Sequence, residues 1–416
     1  MSFKYRALSL ACFAAVGLAG TAQAAQVAGE LLEVYGNIYP QYQSVSFGDS
    51  SATGAEVSTL TKGKTGAQTN TFAAAAVGVS KFTPVNSYIG FKGQKTVDGL
   101  TLGYDVQGVL NIDSSNGSSF MSEPRDAFVF ISHPTLGSLT AGQQDTYYKM
   151  NGDKVRMLGV SSSNFVSSSN VVSNPTWSNK GVATSFNTRI NGQFLWVSPR
   201  IAGFEVGFST RPDPAKTATR DSSLSSMGIN WTDNTFYVGL AQEIHNDYYA
   251  FSGATSTAAA GSIYNAAAGL RSKDTATRVS FGYKAAAVRV GADVSTLEYT
   301  ETSTQVNGFK SYKTNTWQVT GEYDLSSKVS LAAQYGNNGA GNCTLNGTIA
   351  CSTVGLGGTL VGFGAKYNLD KNFSIFALTA TGSANSGAVI SLGSGAGKTA
   401  IGGNITAAAV GIQARF

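Results

Sequence analysis

Residues 278–295 read RVSFGYKAAAVRVGADVS, and along this stretch apolar and polar residues alternate one for one. Val279, Phe281 and Tyr283 stand between Arg278, Ser280, Gly282 and Lys284; after the alanines, Val288, Val290, Ala292 and Val294 stand between Arg289, Gly291, Asp293 and Ser295. Successive side chains of an extended strand point to opposite faces, so a period of two produces one greasy face and one wet face. Two such runs with a short link are an antiparallel hairpin. The pattern returns at Trp317, Val319, Gly321 and Tyr323 against Gln318, Thr320 and Glu322, and again at Val329, Leu331, Ala333 and Tyr335.

Worked outward, the same reading gives sixteen strands: 31–43, 86–96, 100–111, 125–132, 138–146, 186–198, 203–211, 224–232, 235–244, 275–285, 288–300, 313–325, 328–337, 358–369, 372–381 and 405–416. Their connections alternate in length. Asp98-Gly99, Pro134–Gly137, Asp233-Asn234 and Asp370-Lys371 are tight turns, whereas 44–85, 147–185, 245–274, 338–357 and 382–404 are long and polar. A soluble β-sandwich also alternates, but nothing in it requires every second connection to be short. A transmembrane barrel does, with its apolar face on lipid and its polar face on the lumen. Trp196, Trp231, Tyr323, Tyr335 and Tyr367 lie near strand ends and suit interfacial girdles, although each alone suits a sandwich core equally. Closure leaves no unpaired backbone group in hydrocarbon, and about sixteen strands enclose an aqueous channel where eight would be filled by side chains. The expected fold is all-β: a sixteen-stranded antiparallel transmembrane β-barrel with short periplasmic turns and long external loops. The run Phe72–Val79 leaves room for a further hairpin or a loop helix.

Composition agrees. The chain has 416 residues but only 13% charged ones, about half the usual share. With 42% hydrophobic residues, 18 Tyr and 22 Phe it is too apolar for a disordered chain, while a mean hydropathy of −0.03 argues against a helical membrane bundle. His133 and His245 are the only histidines, so histidine-based metal sites and Ser/His or Cys/His catalysis have little material. An enzyme is disfavoured and no cofactor is expected.

Lys4 and Arg6 precede a small apolar run from Ala7 to Gly20, and Ala22-Gln23-Ala24 offers the small residues cut by signal peptidase. Residues 1–24 are read as a signal peptide and 25–416 as the exported barrel. The mature net charge is then only +3, from 27 basic and 24 acidic residues, which is no nucleic-acid signature. Cys343 and Cys351 are the thiols left in the mature chain. In an oxidising compartment they are read as one disulfide closing a small loop, since a metal site would need further ligands nearby.

Val34-Tyr35-Gly36-Asn37-Ile38, Tyr88-Ile89-Gly90-Phe91-Lys92-Gly93 before Asp98-Gly99-Leu100, Arg125-Asp126-Ala127-Phe128-Val129, Gly137-Ser138-Leu139-Thr140-Ala141-Gly142-Gln143 and the ending Val410-Gly411-Ile412-Gln413-Ala414-Arg415-Phe416 come in an order and spacing that resemble the Gram-negative general diffusion porins, particularly the trimeric outer-membrane porins of beta-proteobacteria. The likeness covers nearly the whole mature chain. It implies a homotrimer in the outer membrane, in contact with lipid and lipopolysaccharide, whose terminal Phe416 strand is read by the assembly machinery. It implies also a third external loop, here about 147–185, folded into the lumen, with acids on it facing basic side chains of the opposite wall.

Carried over residue by residue, Arg125 and Arg189 resemble two wall arginines of that family. Tyr88 stands where relatives often carry Arg, Gln143 where Arg is common, and Asn37 where a basic residue occurs, so the basic wall is thinned. The loop shows no clear Pro-Glu-Phe-Gly motif; Asp145 and Asp153 sit near Lys149, Lys154 and Arg156. Asp153 is the acid expected to face Arg125 and Arg189, the bland alternative being a solvated loop acid. Strand parity turns Lys92, Arg278, Lys284, Arg289, Lys366 and Arg415 inward against Asp105, Glu205, Asp293 and Glu322, which leans the pore weakly toward anions. The expected constriction set is Arg125, Arg189, Tyr88, Lys92, Asp145 and Asp153.

Gly393–Thr399 imitates the end of a phosphate-binding loop, but Leu392 stands where the first glycine belongs. His133 beside Pro134 and His245 at the start of a long loop read as ordinary surface residues. The expected function is passive diffusion of ions and small hydrophilic solutes through a water-filled barrel. A substrate-selective channel is the first rival, for which Tyr88, Tyr147 and Tyr148 are too few to form an aromatic stripe; an outer-membrane hydrolase and a plugged adhesin are more remote.

Overall fold

A computed structural model describes residues 25–26, 29–49, 78–112, 121–160, 164–167, 169–173, 186–214, 216–218, 221–248, 270–302, 308–348, 350–392, 397 and 399–416. The strands are β1 (Glu33–Ile38, resuming as Gln41–Phe47), β2 (Val79–Thr83, resuming as Tyr88–Val97), β3 (Leu100–Leu110), β4 (Met121–His133), β5 (Gly137–Asp145), β6 (Arg189–Val197), β7 (Phe204–Arg211) and β8 (Ser223–Thr232). They continue as β9 (Phe236–Asn246), β10 (Ser272–Ala285), β11 (Val288–Glu301), β12 (Phe309–Asp324), β13 (Val329–Asn338), β14 (Gly358–Asn368), β15 (Phe373–Ala384) and β16 (Asn404–Arg415). Each pairs antiparallel with the next, and β16 closes the ring on β1 from Ile405↔Phe47 to Gly411↔Gln41, with Asn37↔Arg415 beyond.

The alternation has the expected physical outcome, an inside-out protein. Val129 and Phe363 are 60% and 55% exposed on the outer face, whereas Ser295 and Arg278 are 0% and 1% exposed on the inner one. A soluble domain would reverse this. A ten-residue strand is about 34 Å long and, tilted by about 40°, lifts an apolar band roughly 25 Å tall.

The short connections are built by side chains that substitute for backbone partners. Asp233 Oδ1 accepts from the amides of Thr235 and Phe236 at 2.9 and 2.7 Å, and Asp370 Oδ1 accepts from those of Asn372 and Phe373, both at 2.7 Å. Asp98 and Gly99 both take positive φ, 50° and 83°, between the paired Val97 and Leu100, the conformation whose twist matches a two-residue hairpin.

Three features depart from the pattern read along the sequence. Strands β1 and β2 are interrupted side by side at Pro40 and Pro84, which have no N–H for the ladder. A short strand, Asn342–Leu345, lies within the segment read as loop 338–357 and pairs with the outer end of β12. Val79 belongs to β2, so the end of the Phe72–Val79 run joins the wall. Residues 72–77 of that run, residues 1–24 and most of Gly393–Thr399 lie outside the described residues.

Candidate functional site

Between β5 and β6 the chain makes a helix, α1 (Tyr147–Gly152), two single turns at Asp153–Val155 and Met157–Gly159, and a further turn of helix, α2 (Ser169–Val172). Thr146 caps α1 by accepting the Lys149 amide at 3.3 Å, and its own amide donates to Thr188 O at 3.2 Å, which draws the two ends of the segment together. The segment lies against the inner face. Tyr148 N donates to Ser226 Oγ at 2.7 Å, Arg278 Nη2 to Gly152 O at 3.2 Å and Thr320 Oγ1 to Val155 O at 3.2 Å. Ser226, Arg278 and Thr320 alternate with the exposed Met227, Val279 and Val319, which fixes them as inward. Farther on, Asn164 Nδ2 donates to Gln41 Oε1 of β1 at 3.1 Å, on the far side of the ring.

The root of the segment is a chain of alternating charges. Arg189 Nε meets Asp126 Oδ1 at 2.7 Å and its Nη2 meets Asp145 Oδ1 at 3.0 Å; Lys149 Nζ meets Asp145 Oδ2 at 3.2 Å and also Asp153; Arg156 Nη1 follows at 3.7 Å from Asp153 Oδ2. The sequence reading turns Asp153 toward Arg125 and Arg189; its direct ion pairs are with Lys149 and Arg156, and only its longer-range charge acts on Arg189. Lys149 stands four residues before it on the same helical turns and reaches it first, and Asp145 with Asp126 satisfies Arg189. Burial pushes the Asp153 carboxyl up, but Lys149 and Arg156 more than offset this and hold it below the usual carboxylate range.

Arg125 makes no ion pair within this chain, although the charges of Arg189, Asp126 and Asp145 act on it. Counting back by twos from the exposed Val129 would turn it toward lipid, but the β3–β4 register shifts between Val106 and Gly108, and such a bulge re-aims side chains. Arg125 Nη1 donates to Asn86 Oδ1 at 3.0 Å, and the guanidinium lies 4.7 Å from the Tyr88 ring centre. Asn86 is available because Pro84 interrupts β2 and leaves Asn86 at a φ of 50°. Lys92 sits four residues from Tyr88 along β2, about 13 Å toward the short turns, where it meets Glu33 Oε1 at 2.8 Å and covers the Tyr35 ring at 4.8 Å. Thus by direct contact Arg125 goes with Tyr88, Arg189 with Asp145 and Lys92 with Glu33, and Asp153 joins the second pair.

The inward tally resolves into paired and unpaired charges. Arg278 meets Asp293 at 2.8 Å through both Nε and Nη2; Arg289 meets Glu322 at 2.8 Å and Asp324 at 2.7 Å. Among the described residues Arg125, Lys366 and Arg415 have no carboxylate partner; Lys366 Nζ reaches only Gln413 Oε1 at 3.5 Å. Asp126, Asn86 and Gln107 were missed in the sequence because their roles depend on the bulge and the interrupted strand. His245 is not a surface residue: it is 1% exposed, stacked on Phe186 at 4.6 Å and 3.1 Å from Glu243, since the returning segment folds back over it. His133 ends β4, paired with Gly137 across a short turn at the opposite end of the barrel. Cys343 and Cys351 are joined as a disulfide with Cα atoms 5.5 Å apart, in the connection between β13 and β14.

A family model described as Gram-negative porin matches residues 9–387. A search of the curated proteins gives no match. Among solved structures, an anion-selective porin from Comamonas acidovorans is similar at 15% identity and a TM-score of 0.66, over 92% of this chain and 99% of that one. OmpT, an outer-membrane protein of Vibrio cholerae folded in vitro, is similar at 13% identity and a TM-score of 0.60, over 95% of this chain and all of that one. Salmonella typhi OmpF in complex with daunomycin is similar at 15% identity and a TM-score of 0.57, over 95% and 100%.

Proposed function

The chain belongs to the Gram-negative porin family, an outer-membrane channel for diffusion, and on that premise we propose that segment 147–185 narrows its pore and that the pore weakly prefers anions. The observation that carries the preference is the distribution of unpaired charge. The segment's acid, Asp153, is neutralised by Lys149 and Arg156, while among the described residues Arg125, Lys366 and Arg415 make no ion pair. Fixed positive charge within a screening length of about 8 Å raises the local concentration of anions. The likeness to an anion-selective porin agrees with this sign.

The further reading is a homotrimer of 25–416, exported by a signal peptide at 1–24, seated among lipid and lipopolysaccharide and assembled through its Phe416 strand, with no catalytic chemistry. Solutes are ions and small hydrophilic molecules that cross down their gradients. The test is single-channel recording of refolded mature protein in a planar bilayer under a potassium chloride gradient. Steps closing in threes, with a reversal potential on the anion side, are the expected result. A reversal potential on the cation side would refute the charge reading, and silence from well-folded protein would refute the open channel in favour of a plugged barrel.

A further inference from the structure

The inner wall carries a glycine on β7, β9, β11 and β13, and each lies directly beneath the segment. A Cβ on Gly207 would overlap the Tyr147 ring, and one on Gly239 would overlap Asn151 Oδ1. On Gly291 it would lie 2.6 Å from Val155 O, and on Gly336 2.9 Å from a methyl of Val171. On β14, Gly364 repeats this beneath Leu158, at 2.6 Å. The strands between supply hooks: Ser226 on β8, Arg278 on β10, and Thr320 and Thr316 on β12, the last donating to Val172 O at 3.2 Å. Space and hydrogen bond thus alternate from strand to strand along the path of the segment.

We propose that this alternating row is a rail that sets how far the segment stands from the wall, and so sets the bore of the pore. The proposal rests on the reading that the segment narrows the channel. Physically, a Cβ contact under 3.0 Å forces one partner to move. The wall is held on both sides by full strand ladders, while the segment hangs on a few hydrogen bonds, so the segment is what moves, and inward is the direction open to it. Glycine at these positions is thereby a positioning residue for permeation: it touches no solute, yet a methyl group there displaces what the solute passes.

The test uses full-length mature trimers in planar bilayers. Gly207→Ala and Gly239→Ala are each expected to lower the single-channel conductance, and removal of the overlapped group, Tyr147→Ala in the first and Asn151→Ala in the second, is expected to restore it. A merely structural glycine would show no such rescue. The same two glycine substitutions are then placed in a chain whose residues 147–185 are replaced by a short Gly/Ser linker, where they must be silent and fold normally. If linker replacement leaves conductance unchanged, the narrowing segment itself is refuted. If replacement widens the pore but Gly207→Ala and Gly239→Ala leave conductance at the wild-type value, or are not rescued, the rail is refuted alone. Failure of either substitution to fold in the linker chain would also overturn it, by showing that the glycine serves the barrel and not the segment.

Discussion

The two halves of the inner wall carry similar side chains and treat them differently. Along β7 to β13, beneath α1 and the two turns that follow it, most charges are matched: Arg278 to Asp293, Arg289 to Glu322 and Asp324, and Arg200 to Glu205 at 2.9 Å; the buried Asp274 of β10 has no hydrogen-bond partner among the described residues. From β14 round to β4, Lys366, Arg415 and Arg125 make no ion pair among the described residues; the groups they touch are neutral, Gln413, Asn86, Gln107 and Tyr88, while the charges of Asp126 and Asp145 reach Arg125 from farther off. A buried unpaired ion is costly, which favours matched charge beneath the segment. A surface facing water need not match its charges. Net charge summed over the lumen therefore misstates what a permeating ion meets; it meets the charges that no ion pair cancels.

The sharpest way to break this comparison is on the covered side. Arg278 is 1% exposed and ties together Asp293, Asn187 Oδ1 at 3.0 Å and Gly152 O, so it clamps the outgoing and returning arms of the segment to one point of the wall. Arg278→Ala leaves Asp293 buried with only Ser280 and Gln318 as partners. Removing one member of a buried pair costs about 3–5 kcal/mol. The variant is expected to unfold at distinctly lower denaturant, measured by loss of heat-resistant mobility on gels, and to flicker in single-channel records. An unchanged unfolding midpoint would show that the clamp is not needed.

On the uncovered side the effect is on ions and not on folding. A unit charge about 8 Å from an ion in water contributes about 0.5 kcal/mol, roughly a twofold change in a permeability ratio. Arg125→Ala with Arg415→Ala is expected to move the reversal potential toward cations by that order for each charge. Arg189→Gln with Asp145→Asn removes a matched pair and is expected to leave the sign and size of selectivity as they were. Equal shifts in the two double variants would erase the distinction between matched and unmatched charge.

How much of this was legible beforehand follows from what sets each feature. Strand number, turn asymmetry and the facing of Arg278 or Val279 depend on local alternation, which residues 278–295 display openly. Arg125 did not follow parity because the bulge opposite Gly108 and the break at Pro84 involve three strands at once. Asp153 was assigned to the far wall on family likeness, yet Lys149, four residues earlier, was the nearer partner and its helical spacing was visible in the sequence. The rail, too, left a mark: Gly207, Gly239, Gly291 and Gly336 all occupy inward positions beside outward apolar residues. Its meaning required knowing what lies over them.

Acidity gives the smallest effect and the finest cut between the halves. Asp153 lies in the segment, and Lys149 with Arg156 holds its carboxyl below the usual range despite burial. A carboxyl depressed in the folded state lends stability that is complete above its unfolded value, about 4, and is lost as pH falls through the lower folded value. From pH 7 to about 4 the segment should therefore keep its charges and the reversal potential should not drift on account of Asp153. Below that, protonation releases Lys149 and Arg156 from their shared partner and adds positive charge to the covered half, so anion preference rises. Asp153→Asn is expected to show part of that rise already at neutral pH and a smaller further change on acidification, read as reversal potential against pH in both proteins. Parallel curves for the two would mean that permeating ions do not sense the segment's own charges, and the asymmetry between the halves would then rest on Arg125, Lys366 and Arg415 alone.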